Sequence, residues 1–168
     1  DEIPELKYLG DPILRTQTEA VTVEEGKIIG KQLGETLFKY RSIAGFGRGL
    51  AVPQIGISKS VFVTYLEDNL QIYINPQITY KSKEANFYRE LCLSSGIMWG
   101  DVERPTEIGL EWTDENGKTH KQKFSGVTAR LLQHEEAHLR GVVNLDEAVM
   151  GTIEIITKNP LEEKLREK

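Results

Sequence analysis

The chain has 168 residues, 39% hydrophobic and 28% charged, enough for one domain over residues 1–168 that buries its own core without staples. It has no apolar run long enough to cross a membrane and no visible secretory leader, and a formal net charge of −5 argues against a general nucleic-acid surface, which would want a basic excess. The single cysteine, Cys92, rules out an internal disulfide and suits a reducing compartment. The expected location is therefore the cytoplasm, or an organelle if a transit segment upstream of Asp1 has been removed.

Residues 7–15 read as an irregular arm with Gly10-Asp11-Pro12 as a turn. Thr22-Val23-Glu24-Glu25 has the form of a capping box, and Ile29, Leu33, Leu37 and Tyr40 then recur on one face of a helix to about residue 42. The glycine-spaced stretch Gly45 to Gly56 looks too irregular for helix or strand, and with no Gly-Lys-Ser/Thr after it a phosphate loop is not expected. Strands are predicted at 60–66 and 71–75, joined around Asp68-Asn69, with a short piece near 78–80. Residues 90–99 form an apolar stretch holding Cys92. Strands at 106–112 and 118–124 flank Asn116-Gly117, a hairpin signal. A further strand is expected at 153–156 and a charged helical tail at 160–168. Antiparallel strands with helices before and after indicate an α+β fold.

The chemistry concentrates in Gln133-His134-Glu135-Glu136-Ala137-His138, a His-Glu-x-x-His pattern. On a helix, His134 and His138 lie one above the other and can share a metal ion, with Glu135 beside the first to take a proton from water. Ser125 is placed to cap such a helix and Gly141 to end it, with Leu131, His134, Glu135, His138 and Val142 forming one stripe. Similar short patterns occur on ordinary solvated helices, but here two of the three histidines in the chain fall in this one stretch. A third ligand is needed. Asn144 stands where one protease pattern carries a histidine and is a poor replacement, while Glu147 and Glu154 come too close to the end of the sequence for a protease helical domain. Cys92 is the remaining candidate, as a thiolate ligand, against its blander reading as a small buried hydrophobe.

Three ordered segments resemble the peptide deformylase family. They are Gly47-Arg48-Gly49-Leu50-Ala51-Val52-Pro53-Gln54, Glu90-Leu91-Cys92-Leu93-Ser94, and Gln133 to Gly141. Asp11 to Arg15, Ile74-Asn75-Pro76 and Val102 to Pro105 echo the same family. The resemblance implies antiparallel sheets packed around a central metal-binding helix, with an N-terminal helix and a C-terminal helical tail. It implies one divalent metal on Cys92, His134 and His138, Fe²⁺ natively with Zn²⁺ or Ni²⁺ as substitutes. It also implies Glu135 as proton acceptor, Gln54 and the Leu93 N–H at the oxyanion, and Glu90 paired with Arg104. The partner it implies is an N-formylated peptide or nascent chain, met by a monomer, with no membrane or nucleic-acid contact.

The sequence departs from the family around those atoms. Arg48 and Arg130 stand at commonly apolar positions of the methionine pocket, and Leu91 replaces a glycine. Val52, Ala137 and Ser95-Gly96 replace alanine, aspartate and Val/Ile-Pro. Gly49, Arg48, Leu91 and Arg130 are thus the expected substrate-binding residues. The departures leave three readings: ordinary deformylation with both arginines in solvent, an amide hydrolase with altered, acidic preference, or a metal-binding module without turnover. The retained Glu135 and Gln54 argue against the last, because neither is needed merely to hold a metal.

Overall fold

The computed structural model describes residues 6–96 and 98–156. Among them, α1 (Val23–Ala44) precedes seven strands and α2 (Gly126–Leu139) follows them: β1 (Gly49–Ala51), β2 (Val61–Leu66), β3 (Asn69–Lys81), β4 (Ala85–Leu91), β5 (Met98–Pro105), β6 (Glu107–Thr113) and β7 (Thr119–Ser125). A two-residue strand, β8 (Glu154–Ile155), comes last. The fold is α+β, and all strand pairs are antiparallel, in sheets of order β1-β2-β3-β6-β7 and β4-β5-β8.

The period-two alternation of side chains along β1, β2 and β3 gives the larger sheet two apolar faces. Leu50, Val61, Val63, Ile72 and Ile74 pack with Ile29, Leu33 and Leu37 of α1. Ala51, Phe62 and Tyr73, one residue out of step with them, pack with Ile108, Leu110 and Trp112 and with Ala129, Leu132 and Leu139 of α2. The two helices therefore cover opposite faces of one sheet. Thr22 caps α1, its hydroxyl accepting from Glu25 N at 3.2 Å, and Gly45 ends it at φ 79°. Along α1, Gly26, Gly30 and Gly34 face Ile74, Ile72 and Leu70, and a Cβ at Gly30 would lie 2.5 Å from Ile72 Cγ2. The glycines let the helix backbone settle directly onto the sheet.

Several expected boundaries change. The stretch 45–56 is partly regular, because Gly49–Ala51 pairs with β2 and Val52–Ile55 makes a 3₁₀ turn. The separate piece near 78–80 belongs to β3, a single strand whose register shifts after Ile74. Asn75 takes φ 49° there, and its side-chain amide binds the backbone of Val21 through both its oxygen and its nitrogen. The apolar stretch 90–99 divides between β4, a 3₁₀ turn and β5, and residues 85–89 of β4, where Phe87 and Tyr88 are adjacent rather than alternating with polar residues, carried no strand pattern in the sequence. β4 is an edge strand, which explains why its composition is not that of a core strand. The strand expected at 153–156 forms as β8 on β5, and the tail expected at 160–168 lies outside the described residues.

Candidate metal centre

α2 buries a polar face of Gln133, His134, Glu135 and His138. Its N-cap position is Ser125, without a side-chain capping bond, and Gly141 follows the helix at φ 77° with a missing Cβ that would lie 2.6 Å from the Arg15 backbone. Opposite the helix, β4 ends and the chain turns at Cys92. The Cys92 sulfur lies 3.1 Å from His138 Nε2, and the ligand atoms of Cys92, His134 and His138 all fall within 4.8 Å of one another. One sulfur and two imidazole nitrogens, all buried, form a donor set suited to zinc or ferrous iron.

The orientation of these groups is fixed from behind. His134 Nδ1 pairs with Glu90 Oε1 at 2.9 Å, which leaves Nε2 as the ring nitrogen that could ligate a metal. Glu90 is held in turn by Arg104, through Nε at 2.6 Å and Nη2 at 2.9 Å, and its own carbonyl accepts from Asn144 Nδ2 at 2.9 Å. Burial works against the Glu90 carboxylate, but the hydrogen bonds from His134 and Arg104 outweigh it and hold its pKa well below the usual range. Burial likewise opposes the Cys92 thiolate, yet the charges of His138 and His134 draw the thiol well below its ordinary value. The sulfur is thus poised as an anionic ligand.

Glu135 is 2% exposed, and burial pushes its pKa up to about 7. Its Oε1 faces Gly49, where a Cβ would lie 2.8 Å away, and its Oε2 has no hydrogen-bond partner among the described residues. A buried carboxylate oxygen without a partner beside three ligand atoms leaves room for a water or a reacting group. Gln54 completes the arrangement. Its Oε1 accepts from Ala51 N at 2.8 Å, which turns Nε2 toward Ser94 Oγ at 3.0 Å and the Cys92 sulfur at 3.6 Å. Leu93, next to the sulfur, is buried and lines the same cleft.

That cleft holds about 940 Å³ and is also lined by Arg48, Gly49, Leu91 and Arg130. Arg48 is exposed, and its side chain makes no hydrogen bond or ion pair among the described residues. Arg130 behaves otherwise. Its Nη1 donates to Glu90 Oε2 at 2.7 Å and Val102 O at 2.9 Å, and its Nη2 donates to Asn86 O at 2.8 Å and Oδ1 at 2.9 Å. Arg130 thus departs from the reading that turns both arginines to solvent, while the exposed Arg48 agrees with it. The other third-ligand candidates are engaged elsewhere: Asn144 with Glu90 and Ser95, Glu147 with Arg104, and Glu154 with Arg89. Sequence reasoning did not single out Asn86, Asn144 or the Ser94 hydroxyl as supports, since short polar residues in turns and edge strands carry no periodic signal.

A family model described as polypeptide deformylase matches residues 3–152. A peptide deformylase of Treponema pallidum is 40% identical over 142 residues, covering 84% of this chain and 86% of that protein. The crystal structure of the Thermotoga maritima peptide deformylase superposes with a TM-score of 0.79 at 32% identity, over 86% of this chain and 96% of that one. A peptide deformylase from Synechococcus elongatus, solved in complex with actinonin, gives a TM-score of 0.77 at 34% identity, over 87% of this chain and 79% of that one. The chain belongs to the polypeptide deformylase family.

Proposed function

We propose that this chain hydrolyses the N-formyl group from the first residue of peptides, releasing formate and a free amino group. The observation that carries the reading is the cluster of three ligand atoms within 4.8 Å, set beside a buried carboxylate with a free oxygen. A divalent ion held by Cys92, His134 and His138, Fe²⁺ natively with Zn²⁺ or Ni²⁺ as working substitutes, supplies Lewis acidity and lowers the pKa of water in the site.

The residues divide the remaining work. Glu135 accepts a proton from the attacking water, whose oxygen bonds to the formyl carbon. The Gln54 side-chain amide and the Leu93 backbone N–H stabilise the charge that develops on the formyl oxygen. The carbon–nitrogen bond then breaks, and Glu135 returns the proton to the departing amine. Glu90, steadied by Arg104, keeps the His134 ring aligned throughout. The partner is a formylated peptide or nascent chain met by a monomer, in the cytoplasm or an organelle. Among the described residues, no helix is long and apolar enough to cross a membrane.

A second reading, preference for acidic substrates, has one supporting observation: Arg48 lines the cleft without a partner among the described residues. Arg130 no longer adds to it, because its guanidinium is already engaged. The test is formate release by iron- or zinc-loaded protein from formyl-Met, formyl-Glu and formyl-Asp peptides. Formate from these substrates supports deformylation, and its absence from every formyl peptide contradicts it. An acidic preference that disappears in Arg48→Ile supports the second reading.

A further inference from the structure

Arg130 lies four residues before His134 on α2, hence about one helical turn of 5.4 Å along the same face. A formyl carbon held between His134 and Gln54 is separated from the first side chain of its peptide by only the nitrogen and Cα. That side chain therefore starts within about a helical turn of His134, where Arg130 and Leu131 line the cleft. We propose that Arg130 is a specificity-determining residue: it shortens the cleft at the first side chain and favours formyl peptides whose first residue is small, of alanine or serine size. This inference rests on the deformylation reading and names its substrate class.

Arg130 is held in place on the cleft wall. A free arginine on a cleft wall swings aside for a ligand at little cost, as Arg48 can. The Arg130 side chain is 14% exposed, and four of its N–H groups are committed to Glu90, Val102 and Asn86. Its guanidinium carbon also lies 5.0 Å from the centre of the Tyr88 ring. Displacing it would take a donor from the Val102 and Asn86 carbonyls in a part-buried setting and leave Glu90 Oε2 with Arg104 Nε alone, which opposes the move. A long apolar side chain therefore meets a fixed polar group, whereas a short one ends before reaching it.

Charge does not give the same answer. Arg104 bridges Glu90 and Glu147, so that the two arginines and two glutamates balance. Arg130 thus acts through its volume and its polar edge, and gives no net attraction for an acidic side chain. The effect is independent of Arg48.

The test pairs turnover with binding. Zinc-loaded parent, Arg130→Leu and Asn86→Ala are assayed for kcat/KM on formyl-alanyl and formyl-norleucyl peptides. Calorimetry on the same proteins measures the affinity of two peptide hydroxamates, one with a methyl and one with an n-butyl side chain. The parent is expected to prefer the shorter chain in both measurements. In Arg130→Leu the long-to-short ratio should rise by at least about tenfold in both measurements, a low figure for the methylenes involved. Asn86→Ala, which removes one acceptor from Arg130, should move the ratio the same way by less.

A parent that prefers the longer chain, or treats the two alike, overturns the proposal. So does an Arg130→Leu variant in which both substrates decline in parallel at an unchanged ratio, since that is the mark of a purely structural brace. Should Arg130→Leu fail to fold, an unchanged ratio in Asn86→Ala overturns it instead. If no formate appears but the hydroxamate ratios behave as expected, the deformylation reading fails while the role of Arg130 stands.

Discussion

The two helices of this molecule sit on opposite faces of the same sheet and meet it by different means. α1 presents Ile29, Leu33 and Leu37 with glycines between them, and the contact is made of apolar groups and backbone. α2 presents Ala129, Leu132 and Leu139 to the sheet and buries a second, polar set: His134 against Glu90 of β4, His138 against Cys92, Gln133 against Pro105 of β5 and Glu135 against Gly49 of β1. Burying those polar groups is costly unless each finds a partner. His134 finds Glu90, Gln133 Nε2 donates to Pro105 O at 2.9 Å, and Glu135 Oε2 and His138 Nδ1 find no partner among the described residues. The difference teaches where stability is given up for chemistry. One helix is a packing element, and the other carries buried polar atoms that a folding element alone would not need.

The largest expected effect breaks the polar side of that comparison. Cys92→Ala should lower metal affinity by more than about 100-fold, beyond the range typical for loss of an outer-shell partner. Metal analysis after dialysis checks it, and undiminished occupancy would mean that the third ligand lies elsewhere.

A second effect exposes what Glu135 costs the fold. Its pKa is raised in the folded protein to about 7 from 4.5, so the associated stability is present below pH 4.5 and lost as pH rises through about 7. A glutamine does not titrate. In chelator-stripped protein, Glu135→Gln should therefore gain about 3 kcal/mol on the parent between pH 4.5 and pH 8, at about 1.4 kcal/mol per pKa unit. Thermal melts at the two pH values read it, and a difference that does not change with pH contradicts it.

The apolar side breaks through overpacking. Gly30→Ala puts a methyl against the branched Ile72 side chain, which is itself buried in the core. The expected loss is about 1–2 kcal/mol by denaturant titration, an overpacking cost of about 1–3 kcal/mol less up to about 1 kcal/mol of better helix propensity. The smallest effect separates the helix starts. Thr22→Ala should cost about 1 kcal/mol, because its hydroxyl accepts from Glu25 N, whereas Ser125→Ala should stay within about 0.5 kcal/mol, because Ser125 makes no such bond.

The sequence made α1 legible because its cap, its apolar period and Gly45 agree on one answer. The His-Glu-x-x-His face of α2 was legible for a similar reason, since its chemistry has a helical spacing. Cys92 entered only by elimination and by resemblance, because nothing in the sequence measures the distance between residue 92 and residue 134. β4 was missed because Phe87 and Tyr88 stand side by side and exposed on a sheet edge, where no alternation of apolar and polar residues is required. Arg130 was legible as an unusual residue but not as a pinned one. Its four acceptors come from β4 and β5, elements that meet α2 only in the folded chain.

The central claim is that Glu135 moves the proton in a hydrolysis supported by Cys92, His134 and His138. The most direct test measures metal content and formate release on the same samples of parent and Glu135→Gln, loaded with the same divalent ion. The account predicts equal metal in both and a fall in turnover of at least about 100-fold in the variant. Equal metal with formate released as fast by Glu135→Gln as by the parent would contradict it.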